Sequence, residues 1–275
     1  MDDTFLISIT TFVYFAAALL FLISVVWERR GIQRFTMGVA TVGFILHTIA
    51  IVLRWVLSYR LGIGHAPLSN FYESLVFFSW SLVCVLFFAQ RRFGNGFVGT
   101  TLSLFAFLIL AYASLSGKVD ARIQPLIPAL QSNWLISHVI SAFLAYACFA
   151  LSFGAGVLYL VTAKTKRQLT ARLPSPAFFD DLAYRTISVG FLLLTVGIMT
   201  GAVWADTAWG RYWGWDPKET WSLITWFLYG AYLHARLVRG WRGTAMAVIS
   251  IAGFIAVIFT YLGVNYILAG LHSYL

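Results

Sequence analysis

Five of the chain's 11 tryptophans lie in one 18-residue stretch, Trp204-Ala-Asp-Thr-Ala-Trp209-Gly-Arg-Tyr-Trp213-Gly-Trp215-Asp216-Pro217-Lys218-Glu219-Thr-Trp221, and Trp226 follows. An indole nitrogen donates a hydrogen bond but has no free lone pair for a metal. Its broad faces can stack on a flat ligand, and Gly210 and Gly214 let the backbone approach one closely. The run is therefore suited to cradle a large planar molecule and not to ligate it. The structural alternative is an aromatic belt at a membrane surface, although a belt spreads its rings over many helix ends. Asp216-Pro217-Lys218-Glu219 also reads as a helix start, with Asp at the N-cap, Pro in the first turn and Glu closing a capping box. In that reading Asp216 fixes the tryptophan loop to the helix that follows.

Groups that can bind a metal are few. The five histidines are His47, His65, His138, His234 and His272, and the two cysteines are Cys84 and Cys148. Neither cysteine belongs to a CxxC or CxxCH pair, which excludes a thiol oxidoreductase and a c-type cytochrome; both lie in apolar runs, as buried cysteines do. A structural zinc site wants four ligands, often thiolates, and no such set is present.

The elements that must position these residues are membrane helices. Only 11% of the 275 residues are charged and 60% are hydrophobic, where a soluble domain carries about a quarter charged. The charges gather in clumps and leave uncharged runs at 4–27, 35–53, 74–90, 93–117, 123–163, 186–205, 220–235 and 243–275. A bilayer core takes roughly 20 apolar residues per helix, and a backbone in lipid must satisfy its own hydrogen bonds. These runs predict an all-α bundle of about eight transmembrane helices, near 4–27, 36–57, 71–89, 97–115, 134–163, 185–205, 218–236 and 244–267. The N-terminus lacks a basic region and a cleavage site, so the first helix is expected to be retained. With no internal repeat and no soluble segment, residues 1–275 read as a single polytopic domain.

Thirteen of the 19 lysines and arginines fall on one set of loops (Arg29, Arg30, Arg34; Arg91, Arg92; Lys164, Lys166, Arg167, Arg172, Arg185; Arg236, Arg239, Arg242). The richer side is expected to be cytoplasmic. Both termini then lie outside, with loops 58–70, 116–133 and 206–217. The net charge of +9 flanks the apolar runs and does not imply nucleic acid. This topology sorts the histidines. His138, at the outer end of the fifth helix, and His272, after the eighth, share the face of the tryptophan loop. His234 lies near the cytoplasmic end of the seventh helix, His47 midway along the second, and His65 in an outer loop. Two histidines beside an aromatic platform suggest bis-imidazole ligation of haem. Arg211 and Lys218 are the nearest cations for its propionates, or else membrane-interface anchors.

The stretch Gly-Ala-Val-Trp204 to Trp221 resembles the WWD signature of haem-handling proteins, here spanning about 204–221. Pro67-Leu-Ser-Asn-Phe-Tyr-Glu73-Ser-Leu75, Leu233-His234-Ala-Arg236 and Leu271-His272-Ser-Tyr274 are similar to segments of the CcsA (ResC) branch, of System II cytochrome c maturation, and the likeness runs along essentially the whole chain. The resemblance implies that His138 and His272 ligate an external haem b beside a platform of Trp209, Trp213, Trp215 and Asp216. It implies that His234 ligates haem within the membrane, opposite a ligand on a CcsB (ResB) partner; His47 is a substitute with no motif behind it. It further implies attachment of haem to the CxxCH thiols of apocytochrome c, in a bacterial plasma membrane or a thylakoid. This chain would then act as the haem-binding subunit of a holocytochrome c synthase, with no catalytic residue of its own. Three alternatives stand beside this reading. A CcmC-like protein delivering haem to a chaperone would have about six helices, and a relative regulating haem biosynthesis is weaker still. A haem-free membrane scaffold or ion-coupled transporter would purify colourless, and the helices lack the several buried acids of an ion pathway.

Overall fold

The computed structural model describes residues 2–27, 30–126, 128–165 and 173–268. Among these there is no β-strand: the chain is an all-α multi-pass membrane protein. Its helices are α1 (Asp3–Val26), α2 (Arg30–Arg60), α3 (Phe71–Phe93), α4 (Gly96–Leu115), α5 (Asn133–Lys164), α6 (Pro176–Trp209), α7 (Pro217–Leu237) and α8 (Thr244–Ile258). One turn of π-helix, Phe259–Gly263, then joins α8 to the short α9 (Val264–Ile267).

The boundaries follow the capping chemistry. Side-chain oxygens of Asn70, Asn95, Ser132 and Ser175 accept from first-turn amides of α3, α4, α5 and α6, satisfying donors that a helix start leaves open. Helix α6 begins at Pro176 and not near residue 185, because Ser175-Pro176 starts it ahead of the charged turn containing Asp180, Asp181 and Arg185. At a rise of about 1.5 Å per residue its length is near 50 Å, well beyond a hydrocarbon core of about 30 Å. The charged first turns can therefore stand outside the apolar layer. Among the described residues, seven helices are long and apolar enough to cross a membrane. Helix α7 is long enough, but aromatic, hydroxyl, His and Arg residues displace aliphatic ones along it.

The contacts divide the chain into two compact units, Met1–Gln131 and Ser132–Leu275. In the first, α1 packs between α2 and α4, and α3 packs on α4 and closes onto α2. Buried hydroxyls such as Thr10, Thr11 and Thr36 donate to carbonyls one turn back, as a low-dielectric setting requires. Phe35, Val42, Ile45, Ile49, Val52 and Val56 form an exposed apolar face on α2, suited to lipid.

One end of this unit holds a buried ionic cluster. Arg54 of α2 donates through Nε to Glu73 Oε1 and through Nη1 to Asp3 Oδ2, each at 2.9 Å. Nη1 also reaches the Ala121 carbonyl at 2.9 Å, and the guanidinium lies over the Tyr72 ring. The other Glu73 oxygen accepts from the amide and hydroxyl of Ser69 at 2.8 and 2.7 Å. Residues 67–73 thus join α1, α2, α3 and loop 116–132. His65 spans the same loops, with Nδ1 2.8 Å from the Ala66 carbonyl and Nε2 2.9 Å from that of Gln124. By contrast the Asp120–Arg122 pair is exposed. Hydrogen bonds from Arg122 hold the Asp120 carboxyl below the usual carboxylate range, but a solvated pair contributes little to stability.

In the second unit α5 lies along α6 and α8, and α7 packs on α8 and α6. Phe149 and Tyr229 stack face to face, with centroids 3.7 Å apart. Arg236 of α7 bonds Asp180 of α6 at 2.6 Å, and the other Asp180 oxygen accepts from Gly243 N at 3.0 Å. This ties the far end of α7 to the start of α8. The π-turn is anchored on α7 by Phe259 against Trp221 and by Thr260 with Thr225.

Candidate haem-handling site

In the second unit, the start of α5, the end of α6 and the loop into α7 are linked by a chain of contacts. His138 stands on the second turn of α5. Its Nδ1 lies 2.7 Å from the Gly197 carbonyl of α6, and its ring stacks on Trp204 at an interplanar angle of 17°. A carbonyl has no proton to give, so Nδ1 must be the donor. In the neutral ring that leaves the lone pair on Nε2, the tautomer a metal-ligating histidine needs. The close approach depends on Gly201, one turn from Gly197: a Cβ there would lie 2.6 Å from His138 Nδ1 and 2.9 Å from Cε1.

The indoles continue from this ring. Trp204 is buried and meets Trp209 edge to face at 5.0 Å. Thr207 donates to Ser132 Oγ at 3.5 Å, drawing the end of α6 to the cap of α5. Gly210 ends α6 with φ +71°, where a side chain would be strained. Beyond it Trp213 and Trp215 form a second edge-to-face pair, centroids 5.8 Å apart and planes at 89°. Arg211 runs alongside Gly214, whose Cβ would meet its guanidinium. Asp216 is buried and accepts from Lys218 N at 3.1 Å; together with Glu219 it closes the capping box on α7.

The remaining expected ligands are dispersed. His234 is on an exposed face of α7, and its ring has no hydrogen-bond partner among the described residues. His47 belongs to the first unit, where it is fully buried and its Nδ1 lies 3.1 Å from the Tyr14 hydroxyl. His272 lies outside the described residues. The sequence reading missed the roles of Gly197 and Gly201. Its only available signal was two glycines one helical turn apart, the second of them three residues ahead of Trp204.

This geometry yields a first expectation. Gly201→Ala should push the imidazole off the Gly197 carbonyl, at about 1–3 kcal/mol as an overpacked contact. Thermal unfolding should report a modest loss, and for a His138 that acts as a haem ligand, as expected from the sequence, the absorption spectrum should change disproportionately. An unchanged spectrum would show that the ring position is not set by this glycine.

Comparison with known proteins agrees with this arrangement of helices. The family model described as "Cytochrome C assembly protein" matches residues 68–272. A cytochrome c biogenesis protein CcsA from Guillardia theta is 41% identical over 82% of this chain and 81% of its own length. The CcsA of Chlamydomonas reinhardtii is 41% identical over 89% of this chain and 68% of its own length. That of Synechococcus sp. (strain CC9605) is 37% identical over 90% of this chain and 88% of its own. A solved structure titled cytochrome c heme lyase CcmF shares the fold with a TM-score of 0.68 at 16% identity, over 95% of this chain. This chain spans about half of that one, 47%. The class is therefore that of membrane proteins of cytochrome c maturation. Within it, the chain belongs to the CcsA family of cytochrome c biogenesis proteins.

Proposed function

We propose that this chain carries haem through the membrane, presents it on the outer face, and holds it there while apocytochrome c is joined to it. The observation that carries this reading is His138: its Nδ1 lies 2.7 Å from the Gly197 carbonyl, which puts the lone pair of the neutral ring on Nε2, and its ring is stacked on Trp204 at the head of the run of indoles. Haem is the substrate here. In each attachment a CxxCH thiol adds across a haem vinyl group. A carbon–sulfur bond forms, the thiol hydrogen ends on the other vinyl carbon, and no oxidant is consumed. The chain contributes binding and orientation. His138 and His272 serve as axial ligands, Trp209, Trp213 and Trp215 as the face that fixes the ring, and Arg211 and Lys218 as cations for the propionates.

His234 serves an inner site. Its exposed position on α7 suits a haem whose second ligand comes from a CcsB (ResB) partner. Haem would enter there and move to the outer site, with the tryptophan loop in the periplasm or thylakoid lumen.

Purification from haem-sufficient cells, alone and with the partner, tests this directly. We expect a Soret band and the low-spin spectrum of bis-histidine haem. His234→Ala should lower the haem reaching the outer site, and cytochrome c yield with it. A colourless complex, or His234→Ala with unchanged haem and unchanged cytochrome c, would overturn the assignment.

A further inference from the structure

Among the described residues, Trp215 is the only non-glycine with a positive φ, at +57°. A bulky side chain adopts this left-handed region only where its surroundings impose it. Packing does not impose it here, because Trp215 is 69% exposed. A glycine would take the same conformation without strain, so keeping tryptophan implies a use for its ring.

The constraint comes from the backbone on either side. Gly214 N and Asp216 N both donate to one atom, Glu219 Oε2, at 2.7 and 3.1 Å. Amides flanking a left-handed residue converge into an anion-binding nest, and in extended backbone they would stand parallel, about 7 Å apart and too far to share one acceptor atom. A carboxylate bound between them therefore selects the left-handed state. The first turn of α7 supplies that anion, and the Thr220 hydroxyl reaches the Trp215 carbonyl at 3.4 Å. A capping box needs only the Asp216 amide; the shorter bond to Gly214 exceeds it.

We infer that Glu219 is a positioning residue, whose carboxylate fills the nest around Trp215 and so sets the edge-to-face Trp213–Trp215 pair. As part of the haem platform this rests on the function proposed above.

The test uses the full chain with its partner and four variants: Glu219→Ala, Glu219→Gln, Trp215→Ala and the Glu219→Ala/Trp215→Ala double. The amide oxygen of Gln can accept the same two hydrogen bonds, so Glu219→Gln should stay near the parent even if Glu219→Ala loses helix content. Glu219→Ala should lower thioether formation about tenfold, within the roughly 100-fold that small misplacement of reacting groups can cost. The double variant should fall no further than Trp215→Ala alone, since Glu219 acts through that ring. Near-ultraviolet circular dichroism reads the geometry without haem. The signal of the indole pair, defined by subtracting Trp215→Ala from the parent, should vanish in Glu219→Ala and persist in Glu219→Gln. Its survival in Glu219→Ala, or additive losses in the double variant, would overturn the inference. If Trp215→Ala leaves attachment intact, the haem-platform reading falls, and the dichroism still decides whether Glu219 sets the indole pair.

Discussion

His138→Ala, produced with the partner subunit, is expected to lose the low-spin signal of the outer haem while the chain remains folded in the membrane. The side chain is half-buried, and its contacts include the Gly197 carbonyl and the Trp204 indole face. Its removal takes away the proposed axial ligand. Cytochrome c yield should fall about 100-fold, the upper end of what is lost when only a group orienting a metal ligand is removed. Added imidazole should restore part of both signals, because the space beside Gly201 stays open. The spectrum and the haem-stained cytochrome c should be measured on the same preparation. A retained low-spin spectrum with full yield would assign the outer ligand to another residue.

The second large effect is on stability. Arg54 is 3% exposed and faces two carboxylates, Asp3 at 7% and Glu73 at 1%. Arg54→Met leaves both without their cation. Breaking a buried pair by removing one partner costs about 3–5 kcal/mol, and here two charges are stranded. The first unit should unfold at markedly lower temperature, with loops 61–70 and 116–132 becoming sensitive to protease. Neutralising the partners, as Arg54→Met with Asp3→Asn and Glu73→Gln, should recover much of the loss. If Arg54→Met melts like the parent, the cluster does not hold this end of the unit.

What could be read from the sequence, and what could not, depended on the range of the interactions. Helix α1 beyond Asp3 and helix α8 are uncharged runs whose placement needs only hydropathy and length. The start of α7 is written locally in Asp216-Pro217-Lys218-Glu219. The Arg54 cluster was not legible, because Asp3 is 51 residues away in the chain and Glu73 is 19; by sequence Arg54 was one more loop-side cation. The segment around Pro67–Glu73 stood out as a family likeness, and its physical role appears only once Glu73 is seen between Arg54 and Ser69. The division near residue 131 leaves no mark in the hydropathy pattern. At the site, the tryptophans and His138 were legible as residue types. The Gly197 carbonyl was not, since nothing in a sequence tells which backbone atom a side chain on another helix will meet. Trp215 was visible as an aromatic ring, but its left-handed backbone depends on where the Glu219 carboxylate lies.

The π-turn at Phe259–Gly263 acts as a phase shifter. A residue in an α-helix advances the chain by about 100° around the axis, and a π-turn bonds one residue further along than an α-turn. Residues Val264–Ile267 are therefore about 100° out of step with an unbroken continuation of α8. Deleting one residue within 259–263 would let the turn close into unbroken α-helix and leave the side chains of Val264–Ile267 on the faces they already occupy, because the wider turn holds one residue more than an α-turn. It would change the turn that sets Phe259 against Trp221 and Thr260 against Thr225. A one-residue insertion in α8 without such a turn would instead rotate everything beyond it by about 100°, so the π-turn is the point at which this helix absorbs a residue of length without losing its face.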